Sequence, residues 1–363
     1  MKHYFKYIIF TFLFLTAVGT QNVSAAEEPQ SELNVKELIL EHLADSYEWH
    51  MATFGDFHLT IPLPVIVKGE TSGWNIFMSS KFHHGHDAYE GFYIAQEGEY
   101  KGKIVEKNAS GEEVRPLDIS LTKNAVSLII SCTLLVIIVM SVAGWYKKQA
   151  KSGEKKAPKG FVGFMEMFVM SVEDDIIKPC VGKNYRKFSP YLLTVFFFIF
   201  LNNIMGLIPI FPGGANVTGN IAITLVLALF TFFTVNLFGS KEYWKEIFWP
   251  EVPTWLKVPI PIMPAIELVG VFTKPFALMI RLFANILAGH SIVLGLTCLI
   301  FVTVNLGTVI NSSMTVVSVL LTVFISFVEI LVAYIQAYVF TMLSAVFIGL
   351  AQVEPHQHVE EKH

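Results

Sequence analysis

The chain has 363 residues, of which 53% are hydrophobic and 15% charged, with a formal net charge of −4 and a mean hydropathy of +0.54. Soluble domains carry about a quarter charged residues, so an ordinary soluble enzyme is excluded, and no nucleic-acid partner is expected. Several apolar runs reach about 20 residues, enough to cross a bilayer, and the fold class expected is an all-α polytopic membrane protein.

In chain order, residues 1–26 read as a secretory signal. Lys2, His3 and Lys6 precede the short apolar core "YIIFTFLFLTAVG", and small residues near Ala25 and Ala26 offer a cleavage site. Residues 27–120 are polar and form an expected extracytoplasmic module. "NVKELILEHLADSYEWHMATF" has helical character, and "GDFHLTIPLPVIVKG", "WNIFMSS", "GFYIAQ" and "GKIVEKN" are strand-like runs between turn residues. The cluster "HHGHD", His83 to Asp87, is expected to be a solvated loop, because no second ligand cluster accompanies it. Cys132, Cys180 and Cys298 all lie outside the module, so no disulfide framework is implied.

The membrane domain, 121–352, is expected to hold five crossings. The first, at about 124–145, is followed by "YKKQAKSGEKKAPK" with six lysines, which places that loop in the cytoplasm. "FVGFMEMFVMSVEDDIIKP" is apolar but interrupted by Glu166, Glu173, Asp174 and Asp175, and is expected to be an amphipathic helix on the cytoplasmic surface. Crossings at about 189–211 and 217–238 flank the turn "PGGAN". The stretch "WPEVPTWLKVPIPIMP" holds too many prolines for a helix and is expected at the interface, anchored by Trp249 and Trp255. Two long apolar segments follow, about 265–304 and 314–352, joined by the polar turn "NLGTVINSS". At 1.5 Å per residue, about 40 helical residues span about 60 Å, about twice the hydrocarbon thickness. Two strongly tilted helices packed on a large partner surface are therefore expected. Five crossings put the tail, 353–363, in the cytoplasm.

From Phe276 to Val353 only Arg281 and Glu329 carry full charge. An arginine at the bilayer centre costs about 3 kcal/mol on insertion scales, so intramembrane ionisable groups are functional candidates. Glu267, Lys274 and Arg281 step by seven along one helical stripe, and Asn285 lies one turn beyond Arg281. His290, nine residues past Arg281, falls on the opposite face, where Glu329 of the antiparallel helix could join it in a proton relay. Glu329 and Gln336 share a face of the second long helix. Gln336 and Asn285 read equally as interhelical hydrogen-bond partners, and Glu267 as an interfacial residue.

"LMIRLFANILAGH" and "FVEILVAYIQAYVFTMLSAVFI" resemble the a subunit of F-type ATP synthases, as do "FLNNIMGLIPIF" and "NVTGNIAIT", over about residues 40–352. The resemblance implies a membrane stator beside a rotating ring of c subunits, held by peripheral-stalk b subunits in the synthase of a bacterial inner membrane. It implies two laterally offset half-channels. The family's essential arginine falls on Arg281, its asparagine on Asn285, its channel glutamine on Gln336 and an acidic residue of the cytoplasmic half-channel on Glu267. His290 and Glu329 exchange the Glu and His of the commonest bacterial pattern, as mitochondrial members do. Each c subunit is expected to bring one carboxyl, neutral in lipid by desolvation and ionised near Arg281. The protein is expected to need no cofactor or metal. It has no Walker-type phosphate loop, so ATP chemistry is expected elsewhere in the complex. The alternatives are a self-contained secondary transporter or channel, which would show inverted repeats, and a receptor anchored by its helices.

Overall fold

The structure is a computed structural model that describes residues 35–36, 39, 43–54, 57–70, 73–85, 87–108, 111–153, 157–208, 211, 213–249 and 262–352. The expected signal segment, most of the Pro-rich stretch with Trp255, and the tail lie outside the described residues. The described part of the module holds eight short strands. Strands β1 (Glu48–Phe54) and β2 (Phe57–Pro62) pair as an antiparallel hairpin, with a register shift between His50 and Ala52. β3 (Pro64–Gly69) lies between β4 (Gly73–Met78) and β8 (Leu117–Asp118), and β6 (Ile104–Lys107) between β5 (Phe92–Ile94) and β7 (Glu113–Val114). "EWHMATF", read from the sequence as the end of a helix, is thus a strand. Its partner supplies the ladder, and Trp49 is buried. Tertiary pairing overrides weak local propensity at such a site.

The period-two alternation of β3 buries Val65 and Val67 and leaves Lys68 exposed. The buried side joins Tyr47, Phe82, Phe92 and Ile104 in the core of the module. The Tyr47 hydroxyl donates to Asp118. Burial, then the hydrogen bond and charge of Asp118, push this phenol well above its usual range. The "HHGHD" loop begins in a 3-10 turn, Ser79–Gly85, where the His83 Nδ1 atom lies 2.7 Å from the Asp87 carboxylate. No group of three or more metal-ligating side chains forms among the described residues.

Among the described residues eight helices follow: α1 (Lys123–Ser152), α2 (Gly160–Val172), α3 (Lys178–Val181), α4 (Tyr185–Leu207), α5 (Ile221–Leu237), α6 (Lys241–Phe248), α7 (Ile262–Val302) and α8 (Thr308–Ala351). Among the described residues, four helical runs are long and apolar enough to cross a membrane, or five if α5 and α6, bent by 99°, count as one. The protein is a multi-pass membrane protein, mostly helical, as the sequence predicts. Helix α5 is shorter than its expected crossing, because Asn220 caps it at Ala222, and residues 217–220 stay in the turn. The acidic run Glu173–Ile177 is a π turn, in which the Lys178 N–H reaches back five residues to Glu173. Pro179 follows at once. Its ring would meet the carbonyl four residues back in an α-helix, and the wider turn relieves that. Val172, Ile176, Ile177 and Val181 point into the main core, so this amphipathic segment packs on protein along its buried side.

The polar turn between the long helices is also shorter than expected. Thr303–Leu306 is one 3-10 turn, and Asn311, Ser312 and Ser313 already belong to α8. The Thr303 hydroxyl donates to the Asn311 side chain at 2.9 Å, while the Asn311 N–H bonds to the Gly307 carbonyl. The break rests on Gly307 at φ +99° and ψ 153°, a conformation open essentially to glycine alone.

The main core lies where α4, α7 and α8 meet, with Phe196, Ile199, Leu278, Leu282, Phe340 and Ile348 among its buried side chains. Two sets of hydrogen bonds fix which helix ends share a side. At one end, the Lys123 N–H bonds to Ser46 O and the Asn124 N–H to Asp45 Oδ1, clamping the module onto α1. Trp49 packs with Ala215 and Val217 and meets Phe211 edge-on at 5.0 Å, so the module also rests on the α4–α5 turn. At the other end, the Ser240 N–H bonds to Ala351 O, and the Asn184 amide donates to Gln352.

Candidate functional site

The inward face of α7 is apolar: Leu278, Leu282 and Ile286, spaced by four, are buried against α4 and α8. That phase turns Arg281 and Asn285 outward, where both are exposed. Ala277, Ala284 and Ala288, also exposed, surround the arginine with small side chains. No carboxylate among the described residues forms an ion pair with Arg281, so Glu329 is not its partner.

Gln336 sits behind the arginine. It is 3% exposed, and its Nε2 donates to the Arg281 backbone carbonyl at 3.5 Å, linking α8 to α7. Glu329 is half-buried and lies against Gly289; a Cβ on that glycine would stand 2.7 Å from its Oε1. A side chain at 289 would displace the carboxylate. His290 turns towards α4: its Nε2 lies 3.6 Å from where a Cβ on Gly206 would sit. The helices thus gather Arg281, Gln336, Glu329 and His290 about the α7–α8 contact. Arg281 and Asn285 face outward, while His290 and Glu329 lie further along.

Glu267 stands apart, two turns of α7 before Lys274 and half-buried, with its charge felt at Tyr243 of α6. One turn on, Val271, Lys274, Asn236, Tyr243 and Phe347 line a cleft between α5, α7 and α8. Lys274 lies over the Phe347 ring at 5.8 Å.

A buried polar seam escaped the charge-based reading. The Ser131 hydroxyl donates to Asn202 Oδ1 at 2.9 Å, and the Thr218 hydroxyl to Asn203 Oδ1 at 2.6 Å. The Asn203 amide reaches Ala333 O on α8 at 3.4 Å. The signal available in the sequence was the "NN" doublet inside an apolar helix, since each such amide needs partners when buried.

The family model described as "ATP synthase A chain" matches residues 126–349, which is more than half of the chain. The chain belongs to that family. Its members form the proton-translocating part of the synthase's membrane sector, and this chain is such an a subunit. It is 40% identical to "ATP synthase subunit a" of Chloroherpeton thalassium over 257 residues, covering 69% of this chain and 72% of the relative. It is 42% identical to "ATP synthase subunit a 2" of Chlorobaculum tepidum over 255 residues, 68% of this chain and 67% of the relative. A relative from Anaeromyxobacter, 31% identical, aligns over 356 residues, 94% of this chain and 76% of its own length. Residues 38–123 match a separate family model described as a domain of unknown function (DUF8433).

Proposed function

We propose that this a subunit acts as the stator face of a proton path, with Arg281 confronting a carboxyl supplied by a ring of c subunits. The observation that carries the reading is Arg281 itself, a permanent cation exposed on a spanning helix, among alanines, with no ion-pairing acid among the described residues. Small neighbours let another helix approach closely. A ring carboxyl that faces lipid stays neutral because desolvation disfavours its charge. Beside Arg281 the opposite charge favours the carboxylate, and the proton leaves. Arg281 also repels a proton that would cross directly between the two half-channels.

His290 and Glu329 serve the half-channel on the side of the module, and Glu267 the other. Gln336 positions the α7 backbone at the arginine, and Asn285 offers a polar contact one turn away. The module is extracytoplasmic and follows a cleaved signal at 1–26. The tail is cytoplasmic, b subunits hold the stator, and the assembly lies in a bacterial inner membrane. The lysine-rich loop after α1 and the crossing alternation support this orientation. Histidine at 290 favours protons over sodium as the coupling ion.

The deciding experiment is Arg281→Ala in the assembled synthase within membrane vesicles. Proton-driven ATP synthesis is expected to vanish while the complex still assembles, and synthesis at the normal rate refutes the role.

A further inference from the structure

The module presents one apolar face that neither its core nor the helices cover. Antiparallel partners lie on the same side of a sheet, and the register pairs Ile66 with Ile76, Lys68 with Trp74, and Lys68 with Leu117. Trp74, Ile76 and Met78 therefore share a face with Ile66 and Leu117, and Ile119 continues it two residues on. The other side of the same strands holds Val65 and Val67 in the core. Ile76 is 74% exposed, and Trp74, Leu117 and Ile119 are each 56% exposed. Among the paired strand residues on this face Lys68 is the charged one, and its Nζ sits over the Trp74 ring, 5.7 Å from the centroid.

The position of this face in the fold says what covers it. The Ile119 N–H bonds to Ile66 O and the Leu121 N–H to Pro64 O, so the sheet extends rigidly to Thr122, the cap of α1. Four extended residues from Ile119 to Lys123 reach at most about 14 Å. Three strands are about 10 Å across. The patch therefore stands near the membrane boundary, no more than about 14 Å of chain from the first residue of a spanning helix, and that helix itself exposes Ile129, Val136 and Ile137. A tryptophan beside a lysine suits such a boundary, the ring at headgroup depth and the ammonium reaching phosphate.

We propose that the β3–β4–β8 face of the module is a lipid-binding surface that lies on the membrane leaflet beside α1, with Trp74, Ile76 and Leu117 dipping into it and Lys68 meeting lipid phosphate. This surface requires only that α1 spans the bilayer and is independent of the proton path.

The test places the photoreactive residue p-benzoylphenylalanine at position 76, and separately at 117, in the full chain within the synthase in its native membrane. The same residue at position 99, an exposed glutamate in a turn away from this face, is the control. After illumination, mass spectrometry of the chain is expected to find phospholipid adducts at 76 and 117, several-fold above position 99. Cross-linking of 76 or 117 to another subunit or to a second copy of this chain overturns the proposal, as does a lipid yield no higher than at 99.

Discussion

Arg281 tests the electrostatic argument most directly, because its identity and not only its charge is required. Lysine is a compact cation that loses its proton readily when desolvated, whereas arginine does not. Arg281→Lys is therefore expected to lose most proton-driven ATP synthesis while the complex still assembles, and near-normal coupled rates would contradict the argument. His290→Ala and Glu329→Ala are each expected to slow proton entry, read as passive proton flux through vesicles stripped of the catalytic head; unchanged flux in both removes them from the path. Gly289→Ala asks for less. The added methyl stands 2.7 Å from a Glu329 carboxylate oxygen, the far end of a flexible side chain, so the carboxylate swings aside at little cost to stability but leaves its place. A fall in proton flux without loss of assembly is the expected outcome. Arg281 and Glu329 were readable because charge is conspicuous in an apolar run. Asn202 and Asn203 were not, because an amide inside a helix declares its partner only once α1, α8 and the α4–α5 turn are in place.

The helices and strands show what pattern alone can settle. Both long helices were legible from uninterrupted apolar sequence, and they measure 41 and 44 residues. Their junction was placed too late in the chain, since "TVINSS" is polar yet helical, and only Gly307 breaks the path. Gly307→Ala is expected to cost about 1–3 kcal/mol through its disfavoured backbone conformation, seen as a lower thermal midpoint of the purified complex; an unchanged midpoint counts against strain at this corner. In the module, the strand β1 was misread because its ladder partner is what makes it a strand. The Tyr47–Asp118 bond gives the module a pH signature. Folding raises the phenol's pKa above its ordinary 10.0. The protonated form is thus favoured by folding, and this contribution is complete below about pH 10 and lost as pH climbs towards the raised value. Tyr47→Phe is expected to lower stability at neutral pH by about 1 kcal/mol and to flatten the alkaline decline, followed by near-ultraviolet circular dichroism of the full chain between pH 8 and 11, a range chosen to bracket the unfolded phenol.

The assembled chain joins its parts at opposite ends of the bundle by different means. On one side, Ala351, Gln352, Ser240 and Asn184 tie α8, α6 and α4 by hydrogen bonds. On the other, a folded module grips α1 through Asp45 and Ser46 and leans on the α4–α5 turn through Trp49. Membrane class followed from composition and the length of the apolar runs. The module's three small sheets did not, because short strands fix their order only through long-range pairing. Its seat on two separate helix ends has a mechanical consequence. A sideways drag applied to α7 and α8 passes through α4 to the turn, from the turn to Trp49, and from there to α1. Helix α1 is thereby braced twice, at its end by the module and along its length by the Ser131–Asn202 bond to α4, and shear at either point is shared by the other.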